Sequence, residues 1–203
     1  MLFLYQETYY VTPGLQDVID KRVRSLHENH ATNAASVAMD WFKYLGDATT
    51  YLAFRLWSER EVTFEAPQVE FMAEYNRSRP VDAFYQPPDI EFFEQVAQSG
   101  APGGAGIMVR TDLETRAGDW EHDVRAALLD SEGFREYRLY RFMGGESRYF
   151  RAEFWQDAAS ARQFWHGQAL HDLMLKLPQR PFRRAPRFGF YEVLHQLGDA
   201  RPR

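Results

Sequence analysis

Strand-like and helix-like stretches follow one another along this chain in a repeating order. Residues 2–11 are dense in Tyr, Phe, Thr and Val, which suits a strand, and Pro13 and Gly14 punctuate its end. Val18, Ile19, Val23 and Leu26 recur at helical spacing among charges, predicting an amphipathic helix over 15–30. A strand over 36–45 turns at Gly46-Asp47 into another over 50–57, and a helix over 59–77 follows. Residues 81–86 predict a short fourth strand before Pro87-Pro88, and Ile90 to Gln98 reads as a short extra helix. The second half predicts a strand over 107–114, a helix over 118–130 and strands over 135–143 and 148–155. A helix over 157–176 and a final strand near 186–194 complete it.

The two halves are copies. Tyr51 to Trp57 (YLAFRLW) and Tyr149 to Trp155 (YFRAEFW) lie 98 residues apart, and both end in Trp before a helix-opening polar run. At the same offset Gly46, Tyr44 and Phe42 meet Gly144, Phe142 and Tyr140, so a whole hairpin is repeated. Each half therefore has the order β-α-β-β-α-β, which is ferredoxin-like. Ser99 to Gly106 is a short flexible linker by composition, dividing a first repeat at 1–98 from a second at 107–203. Helices on one face of each sheet leave the other apolar face to be covered, and the sister copy is the nearest cover. The predicted fold class is α+β, with two tandem ferredoxin-like repeats packed sheet to sheet as an intrachain α+β barrel.

Composition narrows the chemistry. Hydrophobic residues make up 45% and aromatic residues 16% of the 203, enough to fill a sizeable core. The net charge of -5 comes with scattered Lys and Arg, so no electrostatic footprint for nucleic acid is present. Cysteine is absent, which removes disulfides, thiolate nucleophiles and cysteine metal sites. The start of the chain lacks a basic run and cleavage site, and no apolar stretch reaches the roughly 18 residues of a membrane span. These features predict a soluble cytoplasmic protein that engages neither membrane nor nucleic acid.

Candidate chemistry lies on the repeated strand. Alternation puts Tyr149, Arg151, Glu153 and Trp155 on one face, and Tyr51, Ala53, Arg55 and Trp57 on the equivalent face of the first copy. Arg138 and Asp40 on the adjoining strands, with Arg110 and Gln6 on the first strands, extend the polarity. Two readings stand, structural ion pairs or a pocket with aromatic walls and convergent charges. Among the histidines, His27 and His30 are three apart but lack a third ligand in the neighbouring sequence. His122 falls in a helix of the second copy and His195 near the end of the last strand. His166 and His171 fall on the helix after Trp155, where an imidazole near neutral pH suits proton abstraction.

Glu7 to Gly14 (ETYYVTPG) resembles the opening of NIPSNAP-type domains. Phe154 to Ser160 (FWQDAAS), with Phe164 and Trp165 on the next helix, is similar to the antibiotic-biosynthesis monooxygenase pattern. Together with the element order, the chain resembles the dimeric α+β barrel superfamily over nearly its whole length. The resemblance implies a cofactor-independent monooxygenase that oxidises a small phenolic or anthrone-like aromatic with dioxygen, with no metal and no cofactor. In that scheme His171 is the base, Arg151 or Arg110 stabilises the substrate oxyanion, and Trp155, Tyr149, Trp165, Trp57 and Tyr5 are candidate walls. Arg151 aligns with Ala53 and His171 has no clear counterpart, so the pocket is expected in the second half. Heme-degrading members carry a ligand histidine near the end of this helix. The corresponding position here is about Met174, at core spacing with Leu170, Leu173 and Leu177, which weakens a heme reading. A non-catalytic binding or assembly protein, an isomerase or lyase, and pairing of tandem chains into a homodimer all stay open.

Overall fold

The computed structural model describes residues 1–203 except 22, 24–34, 66–76, 78–80, 101–102, 116–119, 146, 177–181 and 198–203. The first half runs β1 (Leu2–Tyr10), helical residues 16–21 (α1), β2 (Ser36–Tyr44), β3 (Thr50–Trp57), α2 (Arg60–Glu65), a 3-10 turn (Val81–Ala83) and β4 (Asp89–Gly100). The second runs β5 (Ile107–Glu114), α3 (Trp120–Leu129), β6 (Phe134–Phe142), β7 (Arg148–Trp155), α4 (Ala158–Trp165), α5 (Gln168–Lys176) and β8 (Arg187–Leu197). The fold is α+β, a tandem of ferredoxin-like repeats. Its strands hydrogen-bond in the order β1-β3-β2-β8-β5-β7-β6-β4, closing as a barrel.

Two compact units emerge. One takes Met1–Glu94 with the chain from Val193 onward, the other Gln95–Glu192, so both boundaries fall inside the long strands β4 and β8. In the first unit Tyr9, Trp41, Tyr51 and Ala53 pack with Ile19 and Val23 into one core. In the second, Val109, Leu113, Tyr137 and Trp155 pack with Val124 and Leu128 of α3 and with Ala161 and Phe164 of α4. The odd-numbered residues of β5, β6 and β7 thus face the helices. On β3 and β7 the even-numbered residues are buried as well, from Leu52 and from Phe150 onward, so neither strand shows the half-polar alternation of a solvated sheet.

Three elements depart from expectation. Ile90 to Gln98, expected as a helix, belongs to strand β4. Asp89 and Glu91 accept hydrogen bonds from Tyr10 at 2.6 Å and Gln6 at 3.1 Å, Phe92 packs edge-on against Tyr5, and Gln98 donates to Glu136 at 2.7 Å. These pairings across the sheet override the helical composition of the run. The strand expected at 81–86 is instead the 3-10 turn and a single bridge from Phe84 to Val11. The single helix expected over 157–176 is two helices, broken at His166-Gly167, where a Cβ on Gly167 would come within 2.4 Å of the Gln163 carbonyl oxygen. Most of the helices expected at 15–30 and 59–77, with His27 and His30, lies outside the described residues.

Candidate active site

β7 carries the chemistry of the second unit. Arg151 and Glu153, two residues apart, project to the helix face and meet with Nε to Oε1 at 2.6 Å. Register pairs Arg151 with Thr111 and Glu153 with Val109 and Tyr137, so small and aromatic neighbours close around them. From the first turn of α3, Glu121 reaches the same spot. Its Oε1 lies 3.3 Å from Arg151 Nη1 and accepts the Tyr137 hydroxyl at 2.5 Å. Trp165 Nε1, at 3.1 Å, and Trp155 Nε1, at 3.4 Å, donate to Glu153 Oε2. The Arg151 guanidinium lies 5.8 Å from the Trp165 ring centroid.

The electrostatics follow from burial. Burial alone would disfavour the Arg151 cation, but Glu153 and Glu121 more than offset it and hold its pKa above the usual value. Burial raises Glu153, with Arg151 and the two indoles pulling the other way. Tyr137 is pushed far up by burial and then by Glu121, so its hydroxyl remains a donor. Glu121 is the outer member of the cluster. Its side chain is 16% exposed, against none for Glu153, and among the described residues its Oε2 accepts no hydrogen bond.

The first unit builds a related but sealed cluster. Arg55, fully buried, pairs with Glu7 of β1, whose oxygens also accept the hydroxyls of Tyr9 at 2.5 Å and Tyr5 at 3.1 Å. Arg55 donates to Tyr9 at 3.1 Å and lies 5.3 Å from the Tyr5 ring centroid. Glu7 is only 5% exposed. Tyr5 and Trp57, candidate walls, pack together in this unit.

The structure therefore sorts the expected residues. Arg151, Trp155 and Trp165 come together, with Tyr149 one step along the same face of β7, opposite Leu113. Arg110 does not join them. It pairs with Ala152, faces away from the helices with Arg138, and lies 4.4 Å over the Phe150 ring. His171 sits exposed on α5, and among the described residues its imidazole makes no hydrogen bond or ion pair. His166 and His122 are exposed too, and the side chain of Met174 lies outside what is described. Glu121 and Tyr137 were missed. Nothing local marks them, since their meaning comes from α3 crossing β6 and β7. Among the described residues no three His, Asp or Glu stand close enough to hold a metal ion.

At the ends of β5, β7 and β8 in the same unit lies a cavity of about 410 Å³. Arg110, Arg148, Arg184 and Arg187 line it with Asp112 and Glu114.

No family model and no curated protein matches the chain. Solved structures do. A crystal structure of a "Putative monooxygenase" from Fusobacterium nucleatum subsp. nucleatum is similar with a TM-score of 0.79 at 9% identity, over 97% of this chain and 94% of that one. A "putative monooxygenase" from Lactobacillus acidophilus NCFM gives 0.75 at 4% identity, over 98% and 96%. An "anthrone oxidase-like protein" gives 0.65 at 13% identity, over 98% and 94%. At these identities the likeness concerns the fold alone, and fold alone does not select a reaction.

Proposed function

We propose that the protein is a monooxygenase-type oxidoreductase that oxidises a small phenolic or anthrone-like aromatic with dioxygen, without a redox cofactor, at the Arg151 cluster of the second unit. The observation that carries this reading is the position of Glu121. It bridges Tyr137 and Arg151 at the edge of a buried aromatic cluster, its side chain 16% exposed and its Oε2 turned inward, buried and unengaged among the described residues. Fold likeness to proteins described as monooxygenases supports the reaction class.

In an anthrone the acidic C–H gives its proton to a base, and Glu121 is the better placed base, since His171 touches no member of the cluster. The carbanion passes one electron to dioxygen, and the radical pair joins to form a C–O bond. The peroxide takes up a proton and loses water, leaving a ketone. One oxygen atom ends in the product and one in water, and all four electrons come from the substrate. Arg151, fixed as a cation by Glu153, stabilises the substrate oxyanion through Nη2, which bonds nothing among the described residues. Trp165 and Tyr149, both half-buried, wall the site from the water side.

The test is oxygen consumption with a panel of anthrones, naphthols and catechols. Glu121→Gln should lower kcat about a hundred- to ten-thousand-fold with little change in Tm, while His171→Ala should leave it nearly unchanged. Loss of turnover in His171→Ala with retention in Glu121→Gln would return the base to α5. Saturable binding of the panel without oxygen uptake would replace the enzyme reading with a binding protein.

A further inference from the structure

The arginine-lined cavity shares no residue with the Arg151 cluster, and its chemistry differs. We propose that it is a binding site for a small dianion, a molecule bearing two carboxylates or one phosphate.

Charge is the first reason. Four guanidinium groups face two carboxylates there, a local balance of +2 in a chain whose net charge is -5. No aromatic ring lines the cavity, so a flat apolar ligand finds no stacking surface. Its volume of about 410 Å³ sits within the roughly 300–1,000 Å³ typical of small-molecule sites.

The second reason is that two of the four cations, Arg110 and Arg148, rest on supports already in place before any ligand arrives. Arg110, 7% exposed, donates to Asp112 Oδ1 from Nε at 3.0 Å and from Nη2 at 2.7 Å, and lies against the Phe150 ring. Arg148 lies 4.6 Å over the Phe142 ring. Arg184, on the connection into β8, pairs with Glu114 at 3.3 Å. That connection is itself tied to β5, by a bridge from Phe182 to Thr115 and by the Arg183 amide donating to the Glu114 carbonyl at 2.6 Å. Arg187, exposed at the start of β8, completes the ring. Guanidinium forks on fixed supports match the paired oxygens of carboxylate and phosphate, and less ordering entropy is lost when a ligand binds them. This assigns Arg110, the strand arginine turned away from the helices, to anion binding.

Isothermal titration calorimetry on the full chain, at low salt and mildly alkaline pH, tests the site with malonate, inorganic phosphate and acetate. Malonate or phosphate should bind with a Kd in the millimolar range or tighter, and acetate much more weakly. The double variant Arg184→Gln/Arg187→Gln, at exposed positions where folding is safe, should weaken binding by at least about tenfold. Arg162→Gln, an exposed arginine on α4, should leave it unchanged. Tighter malonate identifies a dicarboxylate site and tighter phosphate a phosphate-ester site. Absence of binding, equal affinity for acetate, or full retention in the double variant would overturn the proposal. None of these readouts depends on turnover, so the oxidation reaction and the anion site stand or fall separately.

Discussion

Arg151 and Glu153 stand two residues apart on β7, turned to the same face, joined at 2.6 Å and both buried. The matching positions of β3 hold Ala53 and Arg55, and there the carboxylate comes from the neighbouring strand as Glu7. What the two repeats share is a guanidinium buried among aromatic rings beside a carboxylate. Which residue supplies each charge has changed, and among the described residues the second cluster gains a helix carboxylate, Glu121 of α3.

Removing Arg151 should strand Glu153. Arg151→Ala leaves a buried carboxylate with only two indole donors and should cost about 3–5 kcal/mol in urea unfolding, as for a buried pair broken on one side. Arg151→Met with Glu153→Leu should recover much of that loss. A cost under about 1 kcal/mol for the single variant would show that water reaches Glu153. Arg151→Ala is therefore a poor probe of catalysis, and Glu121→Gln the better one.

The first unit should be structural. Tyr9→Phe deletes a hydroxyl that donates to Glu7 and accepts from Arg55, with no void left behind. It should cost about 1.5–3 kcal/mol, the range for a hydrogen bond to a charged partner, and leave oxygen uptake unchanged. Loss of turnover at unchanged stability would move the working site to the first copy.

The strands on either side of each hairpin were legible because their own residues carry the signal, Tyr, Phe, Val and Trp bounded by glycine turns. β4 was not. Its Glu and Gln content around Phe92 and Phe93 reads as a helix until Tyr10, Gln6 and Glu136 pair with it. The face of Arg110 was hidden for a related reason. Parity along one strand says nothing about the next until register is known, and here Arg151 pairs with Thr111, placing Arg110 behind the sheet. Glu121 lies 30 residues from Arg151 in sequence with no motif joining them.

Asp157 caps α4, accepting the Ser160 amide at 2.8 Å, and its pKa is held below the ordinary value by bonds from Ser160. A carboxylate whose folded pKa is depressed contributes stability above its unfolded pKa and loses it as pH falls through the folded one. Asp157→Ala should therefore lower Tm at neutral pH, and the gap from wild type should narrow as pH drops below the usual carboxylate range. A gap that stays constant down to strongly acid pH would mean that charge plays no part in the cap.

Gly100 closes β4 with φ +96°, a conformation that side chains resist, and Gly103 has the same φ. Their surroundings differ. A Cβ at position 100 would lie 2.2 Å from the Arg135 carbonyl oxygen and 2.9 Å from the Glu136 Cα, where β6 shifts register. A Cβ at 103 meets nothing within 4 Å. The two alanine variants thus share the conformational penalty, about 1–2 kcal/mol for a left-handed residue, and only Gly100→Ala adds a backbone clash that no rotamer relieves. Urea unfolding should place Gly100→Ala well beyond Gly103→Ala, by at least about a further 1 kcal/mol as for overpacking. Equal costs would mean that β4 and the β6 bulge separate readily at this point. The segment expected as a helix and linker would then be held far less tightly than its place in the sheet implies.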